Sequence, residues 1–340
     1  DFGTFVRSLD ALSDAPFTFL LLLGLSLAAR SLSERDARRG RLLAAGAGLA
    51  LAAATLVRPI SLWLLPLAAL ALVLARRPGR LARAAAFSLP CVLLVGGWAA
   101  RNAARAGAFT LTPLSGSQPL FYFASAVQAR VDGIPIPDEQ ERLGSRERYF
   151  RSGGATEREV FGSARYAELF PETSRLSLVE LSRRWRARAA SIVAGHPVLA
   201  AEELALFSRD LLLSPPVLLF AFQQGFYHPR PELLSLYFDR RAGPLFAALA
   251  REHPGVLAVA FVSIAQLVLV YVLFTKGVLS ARPLDGRHVL LLVSLAYLVL
   301  VSAGTEAGDD RFRLPLMPLV CLYAGAGLAR MRPASRISGA

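Results

Sequence analysis

Long apolar stretches alternate with short charged ones over most of the chain. The apolar runs cover residues 15–29, 42–57, 60–75, 84–100, 255–275, 289–303 and 314–328. The runs 289–303 and 314–328 lie at the short end of the ~20 residues a helix needs to cross a hydrocarbon core of ~30 Å. A span must satisfy its backbone internally, so runs of this kind are helical. The pattern predicts an all-α polytopic membrane protein with about seven transmembrane helices. The boundaries are written in polar and proline residues. Asp14 and Pro16 suit the N-cap and first turn of the first span, and Arg58-Pro59 stops the second. Residues 1–102 hold the first four spans, and residues 255–340 hold the last three and a tail.

Residues 103–254 differ in character. Pro, Gly and charged residues become frequent, as in Ile134-Pro135-Ile136-Pro137-Asp138-Glu139. A stretch of this size is large enough for a small folded unit outside the membrane. Within it Leu178, Leu181, Trp185 and Ile192 share one helical face, with Arg183, Arg184, Arg186 and Arg188 among them. Two readings fit: a helix lying on the membrane surface, or a surface helix packed on this region's own core. A second helix is expected over 198–213, ending at Pro215-Pro216. His196, His228 and His253 each precede a proline, which fits helix punctuation better than ligation.

Composition sharpens the picture. The 340 residues are 54% hydrophobic and carry a net charge of +13, against roughly 45–50% apolar in an ordinary soluble domain. Such a charge would raise nucleic acid as a partner in a soluble protein. Here its placement in short loops explains it better, and no nucleic-acid partner is expected. The basic clusters at 30–41, 76–83, 276–288 and the tail fall on one side when the chain alternates through seven spans, and the positive-inside rule makes that side cytoplasmic. The opposite face then collects Asp14, Arg58, Arg101, the 103–254 region and the stretch 308–318. Cys91 and Cys321 each lie in an apolar run and are expected to be small core residues. No Cys/His cluster has zinc-site spacing, and no Gly-rich phosphate loop or Walker pattern is present.

The stretch Gly308-Asp309-Asp310-Arg311-Phe312-Arg313-Leu314-Pro315 puts four charges directly between two apolar runs. It is either a solvated turn with interfacial arginine anchors or part of a site. Arginine forks match phosphate oxygens. A carboxylate can take a hydroxyl proton or help hold a divalent metal, though no cofactor is fixed by the sequence. Both kinds of group suit a substrate that is part lipid and part phosphate. If 311–313 is extended, Arg311 and Arg313 point the same way; if helical, only one can serve.

Four motifs then resemble a known family. Leu12-Ser13-Asp14-Ala15-Pro16-Phe17 resembles its acidic helix start. Leu56-Val57-Arg58-Pro59 with Leu64-Leu65-Pro66 resembles its Arg-Pro…Leu-Pro hairpin. Trp98 with Arg101-Asn102 resembles its Trp-x-x-Arg-Asn span exit. Arg311-Phe312-Arg313-Leu314-Pro315 with Pro318 resembles its Arg-Tyr-Arg-Leu-Pro…Pro opening of a late span. The family is the GT-C superfamily of polyprenyl-phosphate-sugar-dependent glycosyltransferases, with protein mannosyltransferases and aminoarabinose transferases as its nearest members. The resemblance implies transfer of a sugar from a polyprenyl-phosphate donor to a lipid, glycan or protein hydroxyl at the periplasmic face of a bacterial inner membrane. It implies Asp14 as the catalytic candidate. The substrate-binding candidates are Arg58, Arg101, Asn102, Asp309, Asp310, Arg311 and Arg313. Members carry their principal base in an external loop after a first span. No apolar run precedes Asp14, so the expectation is a piece of a longer protein whose base lies elsewhere. The rival expectations are a flippase or transporter of lipid-linked sugars and a non-catalytic membrane assembly subunit.

Overall fold

A computed structural model describes residues 2–112, 115–144, 176–213, 242–281, 285–306 and 310–331. Side chains are described from Ser13 onward in these ranges, apart from Leu178, Ala242, Glu306, Asp310 and Arg311. The regular elements among the described residues are all helices, with no strand among them. In chain order the α-helices are α1 (Phe2–Ser33), α2 (Ala37–Val57), α3 (Leu64–Leu74), α4 (Arg80–Cys91), α5 (Gly97–Ala106), α6 (Ser125–Asp132), α7 (Ile136–Arg142), α8 (Leu178–Gly195), α9 (Pro197–Leu213), α10 (Ala242–Glu252), α11 (Pro254–Ser280), α12 (Gly286–Glu306) and α13 (Met317–Ala329). The chain divides into two compact units. One comprises residues 1–111, 266–301 and 312–340, the other 112–265 and 302–311.

Among the described residues five helices are long and apolar enough to cross a membrane, Ser13–Ser33, Ala37–Val57, Arg80–Ala106, Pro254–Ser280 and Gly286–Thr305, or six if the bent pair Val179–Gly195 and Pro197–Leu213 counts as one. The third and seventh expected spans are shorter. Pro59–Leu74 and Met317–Ala329 are apolar but below that length; at 1.5 Å per residue they reach about 24 and 20 Å. A proline precedes the regular α-helix in both. Pro59 opens a single 3₁₀ turn before α3, and Pro315 lies in the turn between Arg313 and α13.

In the first unit, α1 corrects the expected helix start. Its helix begins upstream, so Pro16 lies inside it and Asp14 is no N-cap. Proline removes only its own N–H bond to the carbonyl four residues back, a local loss that a long helix can absorb. Asp14, Phe17, Leu21, Leu25, Ala28 and Leu32 form the buried stripe of α1, at the three- and four-residue spacing of an inward face. A carboxylate therefore occupies an inward position of a span.

Helix α2 packs through small residues. Gly40, Ala44, Gly48 and Ala52 are all buried, and a Cβ on Gly48 would strike the Phe87 carbonyl of α4. Close backbone approach of this kind is how apolar helices associate where water supplies no driving force. The same device joins α11 to α13, where Gly277 faces the Tyr323 carbonyl and Gly327 the Leu273 carbonyl. On α13 the inward residues are Leu319, Val320, Tyr323, Ala324 and Gly327. Cys321 falls on the outer face and is exposed, against the expectation of a core residue, whereas Cys91 is buried.

Arg83 is also a departure from the sequence reading, which placed it among loop charges. It is 1% exposed. Its guanidinium donates to the carbonyls of Ser31, Glu34 and Asp36. These oxygens belong to the turn joining α1 to α2, where helix-end carbonyls lack intrahelical partners. Gly40 is a glycine because a Cβ there would meet that guanidinium.

The second unit has its own apolar core. Trp185 and Phe121 meet edge-to-face with ring centroids 5.1 Å apart, and Leu120, Leu143, Leu181 and Ala189 complete the cluster. Of the two readings of α8, this geometry selects the second: its apolar face is buried in protein, and Arg183, Arg184, Arg186 and Arg188 are exposed. A capping box between Ser177 and Glu180 starts the helix. His196-Pro197 ends it, and α9 leaves at 105°.

Glu139 of α7 is buried beside Asp132 and Arg142. Burial first, then the Asp132 charge, pushes its carboxyl above the ordinary range; Arg142 partly opposes this. A raised acid binds its proton more tightly folded than unfolded. Its contribution to stability is therefore largest at low pH and is lost as pH rises through the folded value. Glu139→Gln should remove that part of the slope. Thermal unfolding of wild type and variant across pH 4–8 should converge at the acid end and separate above it, with the variant relatively more stable. Parallel curves would contradict this.

Candidate functional site

The site grows from one dipeptide. Proline at 59 disfavours helical geometry at the residue before it, and Arg58 accordingly takes an extended backbone (φ −140°, ψ 115°) as the C-cap of α2. Its amide still donates to the Ala54 carbonyl at 2.8 Å, so the chain turns without an orphaned N–H. The turn sends the Arg58 side chain to α1. There its guanidinium pairs with Asp14 at 2.5 Å and donates to the Ser13 hydroxyl at 3.1 Å. The Phe17 ring lies 6.0 Å from the guanidinium carbon.

The third contributor is the 310–313 stretch. It forms a short 3₁₀ helix, Asp310–Arg313, so of the two expected conformations the helical one holds. Phe312 presents its ring to Arg58, 5.6 Å from the guanidinium carbon. Arg313 is buried and hydrogen-bonds the Tyr271 hydroxyl of α11. One guanidinium thus collects residues from the first span, the Arg-Pro turn and the late motif, which are distant in sequence. Aromatic rings on its flanks add cation–π attraction and keep bulk water back.

Asp14 is 5% exposed. A carboxylate this deeply placed is stable only when paired, and Arg58 supplies the partner. Conversely, the pairing with Asp14 holds the planar Arg58 fork in one orientation.

Arg101 and Asn102 form a separate arrangement. The Arg101 guanidinium stacks 4.6 Å from the Trp98 ring and donates to the Asn102 side chain at 3.2 Å. Asn102 donates to the Thr110 carbonyl at 2.8 Å, and the Trp98 indole to that of Leu111 at 3.3 Å. The Trp-x-x-Arg-Asn residues therefore shape the turn after α5 and leave Arg101 exposed. Asp309 lies outside the described residues, as do the side chains of Asp310 and Arg311. Among the described residues no group of three His, Cys, Asp or Glu could hold a metal ion.

Ser13, Phe17, Phe312 and Tyr271 were not singled out by the sequence. The first three flank residues that were. Tyr271 had one signal, a hydroxyl inside an apolar run. Comparison with protein-family models, with curated proteins and with solved structures finds no match.

Proposed function

We propose that this protein is a GT-C-like membrane glycosyltransferase. It moves a sugar from a polyprenyl-phosphate donor to a hydroxyl of a lipid, glycan or protein acceptor, on the external face of the membrane. The observation that carries the reading is the Asp14–Arg58 pair, capped by Phe312 of the late motif. In this reading seven spans frame the site, with 59–74 and 317–329 as short ones, and the 103–254 region lies outside the membrane.

The acceptor oxygen attacks the anomeric carbon, the carbon–oxygen bond to phosphate breaks, and the acceptor proton passes to a carboxylate base. The lipid phosphate leaves with its charge. A fixed cation in a poorly hydrated site stabilises that charge more than water does. Arg58 fits this role. Asp14 then acts through Arg58, holding its fork in one orientation. Arg101 and Arg313, with Arg311, supply further positive charge for the donor, and Asp309 and Asp310 are retained as substrate-binding candidates.

One observation favours a second reading. A buried ion pair on the inward stripe of a span is also a feature of transporters. The full-length protein in proteoliposomes, given a labelled polyprenyl-phosphate sugar and acceptor extract, separates the two. Release of polyprenyl phosphate with label on an acceptor supports transfer. Movement of intact donor across the bilayer without release supports transport.

Topology is tested independently. In a Cys321→Ser background, Arg183→Cys should react with an impermeant maleimide from outside and Arg38→Cys only after permeabilisation. Both positions are exposed. The reverse pattern would remove the site from the external face.

A further inference from the structure

We infer that α11 is the dimerisation helix, pairing with α11 of a second copy of this chain through a seam centred on Gln266. Gly255, Val259, Val262, Gln266, Leu269 and Leu273 follow one another at alternating spacings of four and three residues, the last step being four. That is the a/d register of two helices wound together. The first five are exposed.

The exposure is selective. Among the span-length helices, 6% of the apolar window of α11 is buried, against 28% or more in each of the others. Ala260 and Leu267 mark its buried side. Phe261, on another side, stacks on Phe246 of α10 with centroids 5.9 Å apart. Beyond Leu269 the seam closes onto α13, where the Leu273 carbonyl meets Gly327. The free stretch therefore runs from Gly255 to Leu269.

Gln266 says what covers it. It lies near the middle of Pro254–Ser280, at the centre of an apolar span. No described residue hydrogen-bonds its side-chain amide. Lipid tails offer neither donor nor acceptor, so an amide facing them is costly. A primary amide carries both a donor and an acceptor and is complementary to itself. Across a two-fold axis, where residue i meets residue i, two Gln266 amides satisfy each other with two hydrogen bonds. A single polar residue at an a position fixes register and partner number in the same way. A lipid-facing surface would need no such residue, and an unrelated helix would need a matching polar group at the same depth.

The test uses the full-length protein in nanodiscs with Cys321→Ser. Single cysteines at Val259, Val262 and Leu269 should form intermolecular disulfides under copper phenanthroline several-fold faster than cysteines at Phe261, Val268 and Val272. Gln266→Leu, more apolar and still helix-compatible, should weaken the dimer roughly ten-fold, the loss of two average intramembrane hydrogen bonds. Monomeric mass in nanodiscs, equal cross-linking on both faces, or a dimer indifferent to Gln266→Leu would each overturn the proposal. So would cross-links from the seam to another segment of the same chain.

Discussion

Arg58→Ala is expected to lower sugar transfer by roughly 10²–10³-fold, mainly in kcat, as for loss of other groups that stabilise a developing anion. The complication is structural, because Asp14 would be left buried without its cation. Breaking one partner of a buried pair costs about 3–5 kcal/mol. The double variant Asp14→Asn/Arg58→Gln removes both charges together and should recover most of that stability. It should not recover transfer. A pair that matters only for folding would behave differently, with activity returning alongside stability. Arg58→Lys keeps the charge but loses the planar fork, and should fall between wild type and alanine. Arg105→Ala, exposed and in the same unit, should be neutral. Near-normal turnover in the neutralised pair would end the phosphate role assigned to Arg58.

The largest expected effect on stability lies at the turn joining α1 to α2. Arg83→Met keeps most of the side chain's volume and removes every donor. The carbonyls of Ser31, Glu34 and Asp36 would lose a charged donor. Each hydrogen bond to a charged group contributes about 1.5–3 kcal/mol, but one guanidinium serves all three and water can reach part of the turn. A net loss of about 3 kcal/mol or more is expected, read as a lower Tm in detergent. Arg80→Met removes the same charge from an exposed position three residues earlier, at the start of the same helix, and should change Tm little. Equal effects of the two substitutions would show that Arg83 works through net loop charge alone.

Arg83 also shows where sequence pattern stops being informative. It sits in the run Arg76, Arg77, Arg80, Arg83, and nothing local separates it from its neighbours. Its burial follows from α4 crossing the α1–α2 turn, which is tertiary. The span-length helices were legible because a run of apolar residues states its own length. The two short ones fall below span length because α3 starts only after the 3₁₀ turn that Pro59 opens, and α13 only after Pro315. Arg58 was legible twice over, since a residue before proline must leave the helix and an arginine at a span boundary is expensive. Asp14 was legible as a candidate but misplaced as a cap. Its three- and four-residue spacing to Phe17, Leu21, Leu25 and Ala28 was the better signal, and Pro16 drew attention from it. Arg101 and Asn102 matched a motif, yet their described contacts shape a turn, which a motif cannot reveal.

The most direct measurement is photo-cross-linking with a polyprenyl phosphate that carries a diazirine on its first isoprene units. With the full-length protein in nanodiscs, labelled peptides should come from residues 12–17, 56–63 and 310–317 together. Unlabelled polyprenyl phosphate should compete, free inorganic phosphate should compete weakly, and Arg58→Ala should abolish the labelling. Labelling confined to the helix ends around Arg38 and Arg83, or labelling of the three segments that survives Arg58→Ala, would contradict a lipid-phosphate site built on Arg58.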